Sequence, residues 1–182
     1  GSEMCIRDRF YNGAKCGASA PDHFHFQAAR QNDIPLIHQW NRRLSTAVCM
    51  KELKMVNGST CRSYQITNYI CPLQAFVTEH SMTTSPELIE EYLQTLPVHD
   101  GESEPRYNLF AWNDPVRGFT VVYIPREKHR PDCYTATGKD QLLVSPGALD
   151  MGGLLVTPRK EDFDKITEQD ILQIYNEVAY HN

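Results

Sequence analysis

Residues 11–27 read YNGAKCGASAPDHFHFQ, and the last five, His23-Phe24-His25-Phe26-Gln27, alternate strictly between polar and aromatic side chains. In an extended strand, successive side chains point to opposite faces of the sheet. The stretch therefore predicts a strand with His23, His25 and Gln27 on one face, and with Phe24 and Phe26 anchored in a core on the other. Just upstream, Gly13, Gly17, Ala18 and Ser19 make a loop of small residues whose backbone N–H groups can approach an anion closely. Such a loop, feeding a strand that lines up two imidazoles and an amide, points to chemistry at phosphorus. Two plainer alternatives exist: an ordinary half-buried strand with hydrogen-bonded histidines, and a metal site using two His at i, i+2. The attached loop favours the phosphorus reading.

The HxHxQ pattern, preceded by Asn12 and by Gly17-Ala18-Ser19, resembles the active-site signature of the galactose-1-phosphate uridylyltransferase branch of the histidine-triad superfamily. That branch includes the diadenosine tetraphosphate phosphorylases and the plant GDP-L-galactose phosphorylases, and in it Gln replaces the third His of the triad. The resemblance implies an α+β, histidine-triad-like fold, a mostly antiparallel sheet with flanking helices. It implies a nucleotidyltransferase or phosphorylase acting on a nucleoside diphosphate sugar or dinucleoside polyphosphate. It further implies that His25 attacks the α-phosphorus and carries the nucleotidyl group covalently. One departure bears on the branch: Ala20-Pro21-Asp22 separates Ser19 from His23, a longer spacer than the uridylyltransferase and dinucleotide phosphorylase pattern has. The spacing is closer to the GDP-L-galactose phosphorylases and to uncharacterised bacterial relatives.

The chemistry is sound from first principles. Imidazole is substantially neutral at pH 7, so one ring nitrogen can attack while a hydrogen bond to the other fixes the tautomer. Gln27, on the same face, can donate an amide hydrogen to a phosphate oxygen, and His23 can orient the site or act as ligand or proton donor. Stabilising charge on the equatorial oxygens is the larger catalytic contribution. Asn12, Lys15, Gly17, Ala18 and Ser19 are the candidates for it. Arg126, Lys128 and His129 belong to the densest basic cluster, residues 126–130, which faces phosphates or sugar in this reading and is a solvated strand end in the plainer one.

The chain has 182 residues, enough for one domain with a real core. A net charge of −5 argues against a general nucleic-acid or anionic-membrane binder. No run is apolar enough to span a bilayer, and no signal peptide is visible, which makes cytoplasm the default. Cysteines at 5, 16, 49, 61, 71 and 133 show no CxxC and read as free thiols in a reducing compartment. Residues 1–9 read as a tag remnant or non-native leader, and 10–182 as a single histidine-triad-like domain. Enzymes of the resembled branch carry a substantial segment before the signature, so the resemblance implies an N-terminally truncated chain.

After the signature, residues 34–37 read as a short strand or edge segment containing Pro35, and 44–55 as a weakly patterned helix before a turn at Asn57-Gly58. Residues 64–70 and 73–78 read as strands. Ser85-Pro86-Glu87 opens a helix with Leu88, Ile89, Tyr92, Leu93 and Leu96 on its apolar face. Residues 106–112 and 119–125 flank a loop and predict a β-hairpin. Residues 154–157 read as a last strand, and Thr167 caps a final helix striped by Ile171, Ile174, Tyr175 and Val178. The hairpin block YNLFAWNDPVRGFTVVYIPRE resembles the dinucleotide phosphorylases, and GGLLVTPRKEDF resembles the GDP-L-galactose phosphorylase C-terminus.

The leading expectation is a ping-pong nucleotidyltransferase that takes a nucleotide or nucleotide-sugar substrate and a phosphate or sugar-phosphate acceptor. A nucleotide hydrolase of the same superfamily and a non-catalytic nucleotide-binding domain are the alternatives. No metal ligands are assigned and no cofactor is implied with certainty, with a divalent metal and a homodimer left open.

Overall fold

The structure is a computed structural model and describes residues 7–18, 25–30 and 33–181. These form one seven-stranded sheet, order β2-β1-β6-β7-β5-β4-β3, and six α-helices. The strands are β1 (Arg7–Asn12), β2 (Phe26–Arg30), β3 (Val48–Lys54), β4 (Thr60–Ile66), β5 (Leu73–Thr78), β6 (Tyr107–Asp114) and β7 (Gly118–Pro125). Every strand pair is antiparallel, so the expected α+β architecture is the one observed. Arg7–Arg9, read above as the end of a leader, lie within β1.

The central hairpin follows its sequence closely. Along β6, Asn108, Phe110 and Trp112 alternate with Tyr107, Leu109 and Ala111, and β7 answers with Thr120, Val122 and Ile124 against Val121 and Tyr123. Two apolar faces result. One packs Phe10, Ala75, Val77, Phe110, Trp112, Val122 and Ile124 beneath helices, and the other packs Tyr11, Phe76, Tyr107, Val121 and Tyr123 against a single helix. The turn closes because Asp114 Oδ1 accepts from the N–H groups of Val116 (2.8 Å) and Arg117 (2.9 Å). Gly118 then adopts φ +93° where a Cβ would lie 2.9 Å from Glu79 Cα and still closer to Thr78 O.

On the first face lie α1 (Pro35–His38), α2 (Trp40–Leu44), α4 (Ala148–Met151) and α6 (Glu168–Val178), while α3 (Pro86–Leu93) covers the second and α5 (Lys160–Lys165) precedes α6. Ser85 Oγ accepts from Leu88 N at 3.3 Å and starts α3. Thr167 and Asp170 form a reciprocal capping box that starts α6. The predicted stripe of α6 is core: Tyr175, Val178 and Ile171 join the main cluster, and Ile174 packs with Leu142 and Val144.

Four local expectations are corrected. Residues 34–37 are not a strand: Pro35 sits at the first position of α1, where its fixed φ and missing N–H suit a helix start. Residues 44–55 are not a helix, because α2 ends at Leu44 and β3 begins at Val48. Asn57-Gly58 there is a hairpin turn, with Gly58 at φ +83°, and it commits the segments on both sides to pairing. Residues 154–157 join no ladder; Val156 N donates instead to Asp150 Oδ1 at 2.7 Å. Phe26 is 51% exposed rather than core, because β2 is an edge strand; Phe24 lies outside the described residues.

Candidate functional site

The first segment of the site is the turn after β1. Gly13 N donates to Tyr107 O (3.1 Å) and Cys16 N to Gly13 O (2.8 Å), which folds residues 13–17 back onto the sheet. Gly17 closes the turn at φ +84°. A Cβ there would stand 2.7 Å from Pro146 O and inside the van der Waals shell of Gly147 Cα, so both the backbone angle and the space require glycine. The turn thus packs against residues 146–148, the entry to α4. Cys16 is fully buried beneath it, and burial pushes its thiol up to about 11, which keeps it protonated. Lys15 lies exposed on the same turn and Ala18 is half-buried; Ser19 and His23 are outside the described residues.

The second segment is β2. His25 is half-buried and immediately precedes the strand, whose register pairs Phe26 with Tyr11 and Gln27 with Phe10. Gln27 is exposed, and its Oε1 accepts from Asn12 Nδ2 at 3.3 Å. The Oδ1 of Asn12 accepts twice, from Ala148 N (2.6 Å) and from Asn108 Nδ2 (3.0 Å). Asn12 therefore ties β2, β6 and the start of α4 together.

The third segment is the basic cluster. Arg126 is 1% exposed and lies inside the molecule, not on a surface. Its guanidinium donates to Val178 O (3.1 Å), Pro146 O (3.0 Å), Lys128 O (3.1 Å), His129 O (3.3 Å) and Asn108 Oδ1 (2.6 Å). These partners are all uncharged oxygens, and burial pulls its pKa below the ordinary arginine value. His129 turns toward the glycine turn: Gly17 N donates to its Nδ1 at 3.4 Å. Burial, followed by the charge of Arg130, lowers the His129 pKa, so the ring is neutral with Nδ1 as acceptor. Lys128 points elsewhere, its Nζ 2.7 Å from Asp132 and 3.7 Å from Glu177.

The fold thus gathers Asn12, Gly17, Gln27, His129 and Arg126 around one end of β1 and β6, and leads the Lys128 ammonium away. Residues absent from the sequence reading complete the cluster. Asn108 is fully buried, and its Nδ2 also donates to Cys16 O at 2.8 Å. Asp150 shapes residues 146–148 by accepting from Gly147 N at 2.8 Å, and its carboxyl is raised by burial against the N–H groups that oppose the shift. The signal for Asn108 was legible: a lone amide at an inward position of an apolar strand has to be paired. Among the described residues no group of three or more His, Cys, Asp or Glu side chains is placed to hold a metal ion, and no helix is long and apolar enough to cross a membrane.

Comparison with known families gives two matches. Residues 44–182 match the family described as GDPGP1-like, C-terminal domain, and residues 3–30 match a domain of unknown function, DUF4922. No curated protein matches the chain, and no solved structure matches it.

Proposed function

Because residues 44–182 make this chain a member of the GDPGP1-like family, a family of nucleotide-sugar phosphorylases, we propose that it is a phosphorylase of a nucleoside diphosphate hexose working through a nucleotidyl-His25 intermediate. The observation that carries this reading is the juxtaposition at the head of β2. His25 stands two residues from Gln27, whose amide is fixed by Asn12 at the same end of the sheet as the glycine turn.

In the proposed reaction a ring nitrogen of His25 attacks the α-phosphorus, and the bond from that phosphorus to the bridging oxygen breaks. The electron pair leaves with hexose 1-phosphate. An oxygen of inorganic phosphate then attacks the same phosphorus, the P–N bond breaks, and its electrons return to the imidazole. The product of the second step is the nucleoside diphosphate. Gln27 donates to the non-bridging oxygens as negative charge builds there, a role worth about 10²–10³ in rate for one well-aimed donor. GDP-hexoses are the first substrates to try. His23 and Ser19 are assigned to the same proposed site as proton donor or orienting group and as phosphate ligand, and Lys15 and Ala18 of the turn are assigned to phosphate binding with them.

The test is product analysis with a GDP-hexose panel and inorganic phosphate. The proposal expects GDP and hexose 1-phosphate in equal amounts, dependent on added phosphate. Release of GMP at a rate indifferent to phosphate would make water the acceptor and the protein a hydrolase. No turnover of any nucleotide sugar would leave a binding role.

A further inference from the structure

A guanidinium has N–H donors and no acceptor. Where Arg126 meets the Asn108 amide, at 2.6 Å, the atom it faces has to be the oxygen. That choice propagates. Asn108 then presents its NH2 to Asn12 Oδ1 (3.0 Å) and to Cys16 O (2.8 Å), and both of those are acceptors. Asn12 Oδ1 also receives Ala148 N at 2.6 Å, a second fixed donor that demands the same orientation. With its oxygen turned inward, Asn12 offers its NH2 to Gln27 Oε1 at 3.3 Å. Reversing Asn108 or Asn12 would set oxygen against oxygen or N–H against N–H at buried and half-buried positions, where unmatched polar groups are costly, and reversing Gln27 would set its NH2 against that of Asn12.

The relay ends at Gln27, which is exposed, with its oxygen engaged and its NH2 as the donating end. We propose that Arg126 and Asn108 are positioning residues that fix the Gln27 amide as a hydrogen-bond donor toward the substrate's phosphate oxygens, although neither touches substrate. The inference rests on the reading of His25 and Gln27 as the reacting site. It also accounts for a buried cation that, among the described residues, has no carboxylate in hydrogen-bond contact, Asp150 acting on it only through space: the charge orients a line of amide dipoles that stabilises an anion at its far end. An equally buried aliphatic side chain would fill the space but leave the Asn108 oxygen without its donor, with only Cys16 O and Ala148 N still holding the orientation.

The experiment is made on the full chain, 15N-labelled, with Asn108→Asp. This variant keeps the volume and the acceptor for Arg126, and places an oxygen where Asn12 Oδ1 needs a donor. The side-chain NH2 resonances of Gln27, assigned by their loss in Gln27→Ala, are expected to shift, while those of Gln94 beyond α3 stay in place. The rate of nucleotidyl labelling from α-phosphate-labelled GDP-hexose is expected to fall about 100-fold, the size of a lost transition-state donor. In a Gln27→Ala background the same substitution is expected to cause no further loss. Arg126→Lys, which keeps charge but loses the fork spanning Asn108 and the carbonyls, is expected to give the same signatures in smaller size. Unmoved Gln27 resonances, or losses that multiply independently in the double variant, would reduce Arg126 and Asn108 to a structural clamp and overturn the proposal. Shifted Gln27 resonances in a protein that forms no labelled adduct would uphold the relay and remove the phosphorylase reading instead.

Discussion

Among the described residues Asp162 and Arg126 are the least exposed charged side chains, and their surroundings are opposite. The Asp162 carboxylate receives Arg159 at 2.7 and 2.8 Å, Leu143 N at 3.0 Å and Lys165 Nζ at 3.4 Å. Those contacts, the Arg159 hydrogen bonds first, hold its pKa down at about 2. Among the described residues Arg126 has only carbonyls and one amide oxygen in hydrogen-bond contact, and burial moves its pKa downward. A matched pair serves the fold alone, here fastening α5 to the segment at Leu143. A cation without a carboxylate partner keeps a field to offer, and the amides of Asn108, Asn12 and Gln27 carry it toward the head of β2.

Removing each charge sharpens the contrast. Arg126→Met takes the guanidinium donors from the carbonyls of Pro146, Lys128 and His129 and from the Asn108 oxygen, leaving Val178 O with Glu127 N alone, and is expected to cost about 3 kcal/mol or more in a urea unfolding curve. Asp162→Asn leaves cations that reach water, so its loss at neutral pH is expected to be smaller; an equal loss would break the comparison.

Gly17→Ala tests the turn that the relay holds. The φ of +84° alone costs an L-residue about 1–2 kcal/mol, and the approach to Pro146 O and Gly147 adds to it. Labelling at His25 is expected to fall together with stability.

Two acid effects separate the regions further. Protonating His129 puts a hydrogen on the nitrogen that accepts from Gly17 N. Since its folded pKa is lowered, its contribution is fully present above about 6.5 and is lost as pH falls through the folded value. Hydrogen exchange at Gly17 is expected to quicken in that window, and to lose the dependence in His129→Gln. Asp162 acts at lower pH: its stabilisation is complete above about 4 and fades as pH drops toward about 2, a slope that Asp162→Asn should flatten. Smallest of all, Ser85→Ala removes the cap of α3 for about 1 kcal/mol and leaves labelling unchanged, because α3 lies on the other face of the sheet.

The sequence was most readable where one local rule acted alone. The β6–β7 hairpin, the Ser85 and Thr167 caps and the α6 stripe each follow from period and capping chemistry. It misled where the outcome depended on tertiary position. Ile34, Leu36 and Ile37 around Pro35 fit strand or helix equally, and Phe26 lost its core because β2 falls at an edge. At the candidate site the sequence named several of the residues but not their wiring. Asn12, Gln27 and Arg126 were singled out from the signature and the basic cluster, yet their connection runs through Asn108, 96 residues from Asn12, and no local pattern encodes such a pairing. Arg126 looked like a surface cation because charge clusters usually are; burial depends on the docking of α6 and residues 146–148 around it.

The most direct test of the account is exposure of the full chain to α-phosphate-labelled GDP-hexoses, followed by detection of an acid-labile protein adduct in the wild type and in His25→Ala. The account predicts a stoichiometric adduct that inorganic phosphate discharges as GDP and that His25→Ala does not form. An adduct that persists in His25→Ala, or a well-folded wild type that binds the nucleotide sugar and never becomes labelled, would contradict it.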